Sequence, residues 1–298
     1  MALLLSMTGY GEASFQSDTL SLAIELRALN NRYLKVSLRA AEPYNLLEPE
    51  FEKVVRRTVR RGTVQVHLRC QRQYNPQDFQ INTTALRSYA RQLRELSTEL
   101  GLRDPEPLLA HALMLPGVAA EPGSAPFQLA EEWPVVERVL EEALARLQAM
   151  RQEEGRAMAQ ELLQHRDAIA AHLGRIRERA PQVVIAFRDR LLERVRNLLA
   201  ELDVEIDRTD LIKEVSVFAE RSDIAEEVVR LASHLDQFRE VVEKEPEGAG
   251  RKLEFVTQEM FREANTIGSK ASDVEISRHV VEIKATLEKI RELVQNVE

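Results

Sequence analysis

Residues 272–298 read SDVEISRHVVEIKATLEKIRELVQNVE and give the clearest structural signal in the chain. Their hydrophobic side chains recur at alternating steps of four and three, a spacing that places them on one face of a helix; they are Ile276, Val280, Ile283, Leu287, Ile290, Val294 and Val297. Ser272 and Glu275 predict a capping box at the start of this helix. The pattern predicts an apolar seam for another helix, supplied by the same chain or by a second subunit.

Two segments upstream repeat the helical pattern, with acidic residues beside the apolar stripe. In residues 223–238, DIAEEVVRLASHLDQF, the polar positions next to the stripe are Asp223, Glu227, Arg230 and His234. In residues 250–270, GRKLEFVTQEMFREANTIGSK, they are Glu259 and Glu263, and Gly250 predicts a flexible point. Because side chains three or four residues apart are neighbours on a helix, each segment collects its acids along one edge of its buried face.

Helical periodicity covers most of the chain from Asn82 onward. Residues 83–100 predict one helix that ends before Gly101, and the chain is helical again from about Asp207. Residues 130–180 and 181–200 are charged and rich in alanine and leucine, and they predict long helices in a hairpin or an arm. Five prolines within residues 104–126 predict the connection between these parts.

The first 75 residues are predicted to be rich in β-strands. Apolar and polar residues alternate over 20–26 and 34–38, and the Asn30-Asn31 turn between them predicts a hairpin. Residues 64–70 predict a further strand and 47–61 a basic helix. The predicted fold class is α+β, mostly α: a β-rich N-terminal domain (1–125), a long helical arm (126–206) and a C-terminal helical domain (207–298).

The composition is that of an ordinary folded protein, with 44% hydrophobic and 30% charged residues among 298. Cys70 is the only cysteine, which excludes an intrachain disulfide framework and a cysteine zinc site. No apolar run approaches the roughly 20 residues of a membrane-spanning helix, and the N-terminal run Ala2–Leu5 is too short for a signal peptide. We therefore expect a cytoplasmic protein without a membrane partner.

Positive charge is concentrated near the N-terminus of an acidic chain. Residues 26–75 hold eleven Lys and Arg against four Glu, a balance of +7, which leaves −15 for the rest of a chain of net charge −8. Local positive potential is what a polyphosphate ligand requires. The alternative is that the basic and acidic surfaces pair with each other, within the chain or between subunits.

The acidic helix edges are candidate sites for a divalent metal ion. If the two segments meet, carboxylates from both and a histidine would surround one pocket, and oxygen ligands suit Mg²⁺ or Mn²⁺. Such an ion could activate an attacking group and stabilise charge on a phosphate. The alternative is a solvated helix face with ion pairs along it, because no compact motif such as H-E-x-x-H is present.

Two N-terminal features are candidate RNA contacts. Arg32 and Tyr33 follow the Asn30-Asn31 turn, where a guanidinium could bind phosphate and a ring could stack on an unpaired base. The alternative is that Tyr33 packs on the core and Arg32 pairs with a carboxylate. A helix bearing Arg56, Arg57, Arg60 and Arg61 is a candidate phosphate track, because no acid is expected in the same helical turn.

Several stretches resemble one known family. They include 6–11 (SMTGYG), 29–34 (LNNRYL), 61–64 (RGTV), 115–118 (LPGV) and 151–155 (RQEEG), and the most specific are 223–234, 252–273 and 290–298. Together they span nearly the whole chain, which resembles the YicC family of bacterial stress-associated endoribonucleases. Phe261 and Glu254 depart from this resemblance, since relatives usually have Asn and Asp there.

The resemblance implies a metal-dependent endoribonuclease that cleaves single-stranded RNA and assembles as a ring-like hexamer, with its chemistry in the C-terminal helices. The candidate catalytic residues are Glu227, His234, Glu259 and Glu263, and the candidate metal ligands for Mn²⁺ or Mg²⁺ are these four with Asp223 and Glu226. Lys252, Arg262 and Lys270 join the candidate RNA contacts. Two alternatives are a non-catalytic adaptor that presents RNA to another nuclease and a structural assembly protein without RNA affinity.

Overall fold

The computed structural model describes residues 4–72, 81–101, 110–119, 126–199, 208–245 and 248–298. A small sheet lies near the N-terminus and long helices follow, so the predicted α+β, mostly α class is confirmed. The chain forms two compact units. The N-terminal unit comprises Gly9–Gln148, and the C-terminal unit comprises the residues up to Thr8 together with Ala149–Glu298.

The N-terminal unit contains four strands, β1 (Gly9–Gln16), β2 (Leu20–Leu29), β3 (Lys35–Ala40) and β4 (Thr63–Arg72). Their order in the sheet is β1-β2-β4-β3. Strand β2 is antiparallel to both β1 and β4, whereas β3 is parallel to β4. Alternate residues of β2 and β4 are buried, as their alternating sequence predicts.

The predicted hairpin between residues 20–26 and 34–38 is wrong. Strand β2 forms its hairpin with β1, where Gln16 pairs with Ser21, and β3 lies on the far side of β4, where Val36 pairs with Val64. Two parallel strands need a crossover, and helix α1 (Glu48–Thr58) provides it between β3 and β4. Alternation shows that a segment is a strand, but it does not show which strand it pairs with.

Helix α1 and the first part of the helix that follows residue 125 share one core with the sheet. Helix α1 buries Phe51, Val54 and Val55 in a core that it shares with β2, β4 and the first part of helix α3 (Pro126–Leu199). The ring of Trp133 on α3 meets Phe51 edge-on, with 5.4 Å between ring centroids. Helix α2 (Thr83–Glu99) ends just before Gly101, as predicted.

Helix α3 is a single helix of 74 residues, so of the two arrangements predicted for residues 130–180 and 181–200, a hairpin or an arm, the hairpin is not observed. Pro134 and Pro181 both lie inside it. An interior proline removes one backbone hydrogen bond and bends a helix, but it does not have to end it where the surrounding residues favour helix. About half of the predicted proline-rich connection, residues 104–126, lies outside the described residues.

The C-terminal unit is a helical bundle. It contains the second part of α3, α4 (Arg208–Arg221), α5 (Ala225–Lys244), α6 (Ala249–Lys270) and α7 (Val274–Val294). Every residue of the seam predicted on residues 276–297 is buried, and the seam packs inside this chain's own core with the apolar stripes of α5 and α6. The seam therefore gives no support for a subunit contact.

Helix α7 is capped by Asp273, not by the predicted box of Ser272 and Glu275. An Asp273 carboxylate oxygen accepts hydrogen bonds from the backbone N–H groups of Glu275 at 3.0 Å and Ile276 at 3.1 Å. The Asp273 carboxylate also forms an ion pair with Arg179 of α3 at 3.0 Å. The hydrogen bond from Arg179 and the two backbone N–H groups hold the pKa of Asp273 below its usual value.

We expect Asp273→Ala to lower the free energy of unfolding by about 1–2 kcal/mol, because it removes a helix cap and an ion pair. Asp273→Asn should cost less at pH 7, since asparagine caps equally well. The lowered pKa makes the carboxylate's contribution complete above the aspartate value of 3.8 and lost as the pH falls through the folded-state pKa. Urea unfolding between pH 2 and pH 7 measures both effects, and identical curves for all three proteins would contradict them.

Candidate functional site

The start of α5 and the end of α6 bring charged side chains together in what we call the Glu227 cluster: Asp223, Glu226, Glu227, Arg230, Glu263 and Lys270. Lys270 Nζ donates a hydrogen bond to Glu227 Oε1 over 2.8 Å, and this links positions 43 residues apart in sequence. Arg230 contacts Glu226 and lies 3.8 Å from Glu263. The two acidic segments therefore contact each other at this end of the helix pair.

Two carboxylates of the cluster are buried, which is rare for glutamate. Glu227 is 7% exposed and Glu263 is 4% exposed. Glu227 Oε2 is buried and has no hydrogen-bond partner among the residues that the structure describes. Burying a carboxylate oxygen without a partner costs free energy, and the hydrogen bond from Lys270 satisfies only Oε1.

The charges of the cluster favour the binding of a metal cation and of a phosphate group. Four carboxylates stand against two cations, Arg230 and Lys270. The hydrogen bond with Glu227 raises the pKa of Lys270, and the charges of Glu227, Asp223 and Glu226 raise it further, so Lys270 stays an ammonium ion. The guanidinium and ammonium groups can bind phosphate oxygens beside an excess of negative charge.

The structure does not place every candidate ligand in this cluster. His234 lies two helical turns from Glu227, about 10 Å along α5, and its Nδ1 lies 3.4 Å from Gln237. Glu259 is half-buried and lies 3.8 Å from Arg262. The predicted convergence of His234 and Glu259 on one pocket with Glu227 is therefore not observed.

The carboxylates fit a divalent ion only in part. Within the described part of the chain, no three His, Cys, Asp or Glu side chains stand close enough to hold a metal ion. Mg²⁺ commonly uses one or two carboxylates and takes its remaining ligands from water and substrate phosphate. The buried, unpartnered Glu227 Oε2 fits such a shared site, whereas an all-protein site does not fit.

The predicted phosphate track on α1 is largely neutralised. Arg56 Nε donates to Glu52 over 2.9 Å, and Arg57 lies 3.1 Å from Glu137 of α3. Arg60 and Arg61 follow the last residue of α1, so the four arginines do not share one helix. The expectation that nothing nearby neutralises these arginines is wrong for Arg56 and Arg57, since Glu52 lies one turn before Arg56 and Glu137 of α3 lies beside Arg57.

Other candidate RNA contacts are at the surface. Tyr33 is 70% exposed and the Arg32 guanidinium lies 5.5 Å from its ring centroid, so Tyr33 does not pack on the core. Lys252 pairs with Glu245 at 2.8 Å and Arg262 with Glu259, both on the protein surface. Lys270 is the one candidate RNA contact that takes part in the Glu227 cluster.

Sequence reasoning missed Phe255, which is 63% exposed on α6. It lies between Leu253 and Val256 of the apolar stripe but points away from their core, and both of those residues are buried. A large aromatic residue at a polar position of an amphipathic helix is the sequence signal that could have identified it.

Comparison with known proteins places both units in one family. The model described as "Endoribonuclease YicC-like, N-terminal region" matches residues 4–160, and "Endoribonuclease YicC-like, C-terminal" matches residues 176–298. The chain belongs to the YicC-like endoribonuclease family. The second match contains the whole Glu227 cluster and Phe255.

Two relatives resemble the chain over its whole length. The probable endoribonuclease YicC of Clostridioides difficile (strain 630) is 32% identical over 301 residues, which cover 99% of both chains. The probable endoribonuclease YicC of Haemophilus influenzae is 28% identical over 298 residues, covering 99% of this chain and 100% of the relative. The two departures noted in the sequence lie outside the Glu227 cluster, since Phe261 packs partly on the core and Glu254 is exposed.

No helix in the described segments is both long enough and apolar enough to cross a membrane.

Proposed function

We propose that this protein is an endoribonuclease that cleaves single-stranded RNA at the Glu227 cluster with the help of Mg²⁺ or Mn²⁺, in the cytoplasm. The observation that carries the proposal is the buried Glu227 carboxylate with one unpartnered oxygen, beside two cations, in a member of this family. A bound divalent ion would stabilise negative charge on the phosphate that reacts.

Four side chains of the cluster have a proposed role in the reaction. Arg230 and Lys270 bind non-bridging oxygens of the scissile phosphate, because both are cations at the rim of the cluster. Glu227 orients the attacking hydroxyl or water and accepts its proton. As the new P–O bond forms, the bond from phosphorus to the 5′-oxygen breaks, and the departing 5′-oxygen takes a proton from water. Glu263 holds the Arg230 guanidinium in place from the buried side.

The proposal is tested with a labelled, unstructured RNA and the purified protein. We expect internal cuts with Mn²⁺ or Mg²⁺ and none with EDTA. The chemistry of the new 3′ end identifies the attacker, since attack by the RNA's 2′-hydroxyl leaves a cyclic phosphate and attack by water does not. Equal cutting in EDTA would overturn the metal dependence, and binding without cutting would favour an adaptor that presents RNA to another nuclease.

We also propose that the protein assembles as a hexamer, and this rests on the family resemblance. The C-terminal seam is buried within the chain, so subunit contacts must use other surfaces. Light scattering on the purified protein measures the mass, and a monomer at the concentration of the cleavage assay would contradict the assembly.

A further inference from the structure

The other end of the α5–α6 pair contains an open groove. Its volume is about 640 Å³, and its lining includes Val241 and Lys244 of α5 with Arg251, Lys252, Phe255 and Val256 of α6. A volume of this size is typical of small-ligand sites. Glu227 and Val241 are 14 residues apart on α5, so the groove lies about 20 Å along the helix from the Glu227 cluster.

The groove joins an exposed aromatic ring to a partly apolar floor. Phe255 is 63% exposed, whereas Val256 beside it is buried in the core of the C-terminal unit. The contribution of Phe255 to folding is small, because most of its surface stays in water. An aromatic face that remains in water above an apolar floor is available to stack on a flat ligand.

Cations line the same groove as this ring. Lys244 pairs with Glu240 at 3.0 Å and Lys252 with Glu245 at 2.8 Å, so three cations of the lining, counting Arg251, stand against two carboxylates. Within the segments that the structure describes, Arg251 makes no ion pair, and its side chain is exposed. Exposed ion pairs contribute little stability, and a phosphate can replace the carboxylate in them.

We propose that this groove binds one nucleotide of single-stranded RNA, with the base stacked on Phe255 and the adjoining phosphates on Arg251 and Lys252. An aromatic ring beside cations is the combination by which proteins hold unpaired nucleic acid without reading its sequence. An apolar peptide segment is disfavoured, because the rim of the groove is charged. The inference rests on the proposed function, and it supplies a second RNA contact on the helix pair that carries the Glu227 cluster.

The test measures binding of a fluorescent ten-nucleotide oligouridine to the full-length protein in EDTA, so that binding is read without cleavage. We expect Phe255→Ala and Phe255→Leu to weaken binding about tenfold, and Phe255→Trp to restore it, because stacking needs a ring rather than an apolar side chain. Arg251→Gln should lower the slope of the logarithm of affinity against the logarithm of salt concentration by about one, the change expected when one phosphate contact is lost. Val281→Ala, which changes an exposed apolar residue of α7, is the matched control.

The outcomes separate this site from the proposed activity. Wild-type affinity in Phe255→Leu would overturn the stacking site, and so would a loss of affinity that Phe255→Trp fails to restore. If the wild type cuts RNA while Phe255→Ala and Phe255→Leu bind it normally, the groove proposal fails and the proposed nuclease activity stands. If the wild type neither binds nor cuts RNA, both proposals fail.

Discussion

Replacing Glu227 with glutamine is expected to lower the rate of RNA cleavage by about 10²- to 10⁴-fold, the usual contribution of a group that transfers a proton. The same change should leave the free energy of unfolding within about 1 kcal/mol of the wild-type value. Glutamine keeps the oxygen that accepts from Lys270 Nζ, and it removes a negative charge from a buried position where Oε2 has no partner.

The two measurements together separate a functional carboxylate from a structural one. If Glu227 served folding, its replacement would cost stability and reduce activity in proportion to the unfolded fraction. Cleavage of labelled RNA and urea unfolding are therefore measured on the same preparations. Glu243→Gln is the matched control, since it makes the same change at an exposed position of the same helix and should alter neither quantity.

Unchanged cleavage by Glu227→Gln would place the reaction elsewhere on the chain. Glu263 is then the next carboxylate to replace, because it is the other buried acid of the cluster. RNA affinity provides a further check: the variant should still bind RNA in EDTA, because Arg230 and Lys270 remain.

The sequence predicted the helices of the C-terminal unit well because their signal is local. The stripes of α5, α6 and α7 repeat every three or four residues, and the same residues are buried in the structure. Burial of an amphipathic face is decided by the spacing of its own residues. The alternation of buried and exposed residues in β2 and β4 could be predicted for the same reason.

Contacts between residues that are distant in sequence could not be predicted from the sequence. The pattern of β3 fits β2 and β4 equally well, and only the crossover through α1 places it beside β4. The contact between Glu227 and Lys270 depends on how α5 and α6 align, which neither segment specifies alone. The neutralisation of Arg57 depends in the same way on Glu137, which is 80 residues further along the chain.

Gly250 shows how a local interpretation can miss a packing constraint. The sequence predicts a flexible point, whereas the structure places Gly250 inside α6, buried against the C-terminal segment. A Cβ atom at this position would lie 2.1 Å from the carbonyl oxygen of Val297, well inside van der Waals contact. The glycine therefore serves a close approach between two backbones.

Several hydrogen bonds fix the C-terminal segment, residues 296–298, in its position beside Gly250. The backbone N–H of Met7 donates to Asn296 O over 2.8 Å, and that of Glu298 donates to Leu5 O over 2.9 Å. Arg151, which is 1% exposed, donates to Ser6 O over 2.6 Å and contacts the Glu298 carboxylate. A shift of Val297 would have to break several of these bonds together.

Gly250→Ala is therefore expected to destabilise the protein by about 3 kcal/mol or more, even though alanine favours helix by about 1 kcal/mol over glycine. Gly174→Ala is the matched control, because Gly174 lies in α3 of the same unit and nothing stands within 4 Å of its added Cβ. That control should gain up to about 1 kcal/mol. Urea unfolding measures both changes.

Removing Val297 and Glu298 provides the decisive comparison for the close contact at Gly250. In that shortened chain the clash is absent, so Gly250→Ala should become neutral or stabilising, although the truncation itself lowers stability. An equal cost in both backgrounds would mean that Gly250 is needed for another reason. Because α6 carries Phe255, Glu263 and Lys270, a displaced start of this helix should also weaken RNA binding in the full-length Gly250→Ala variant. The contact between Gly250 and the C-terminal segment thus affects the position of the helix on which both proposed RNA contacts lie.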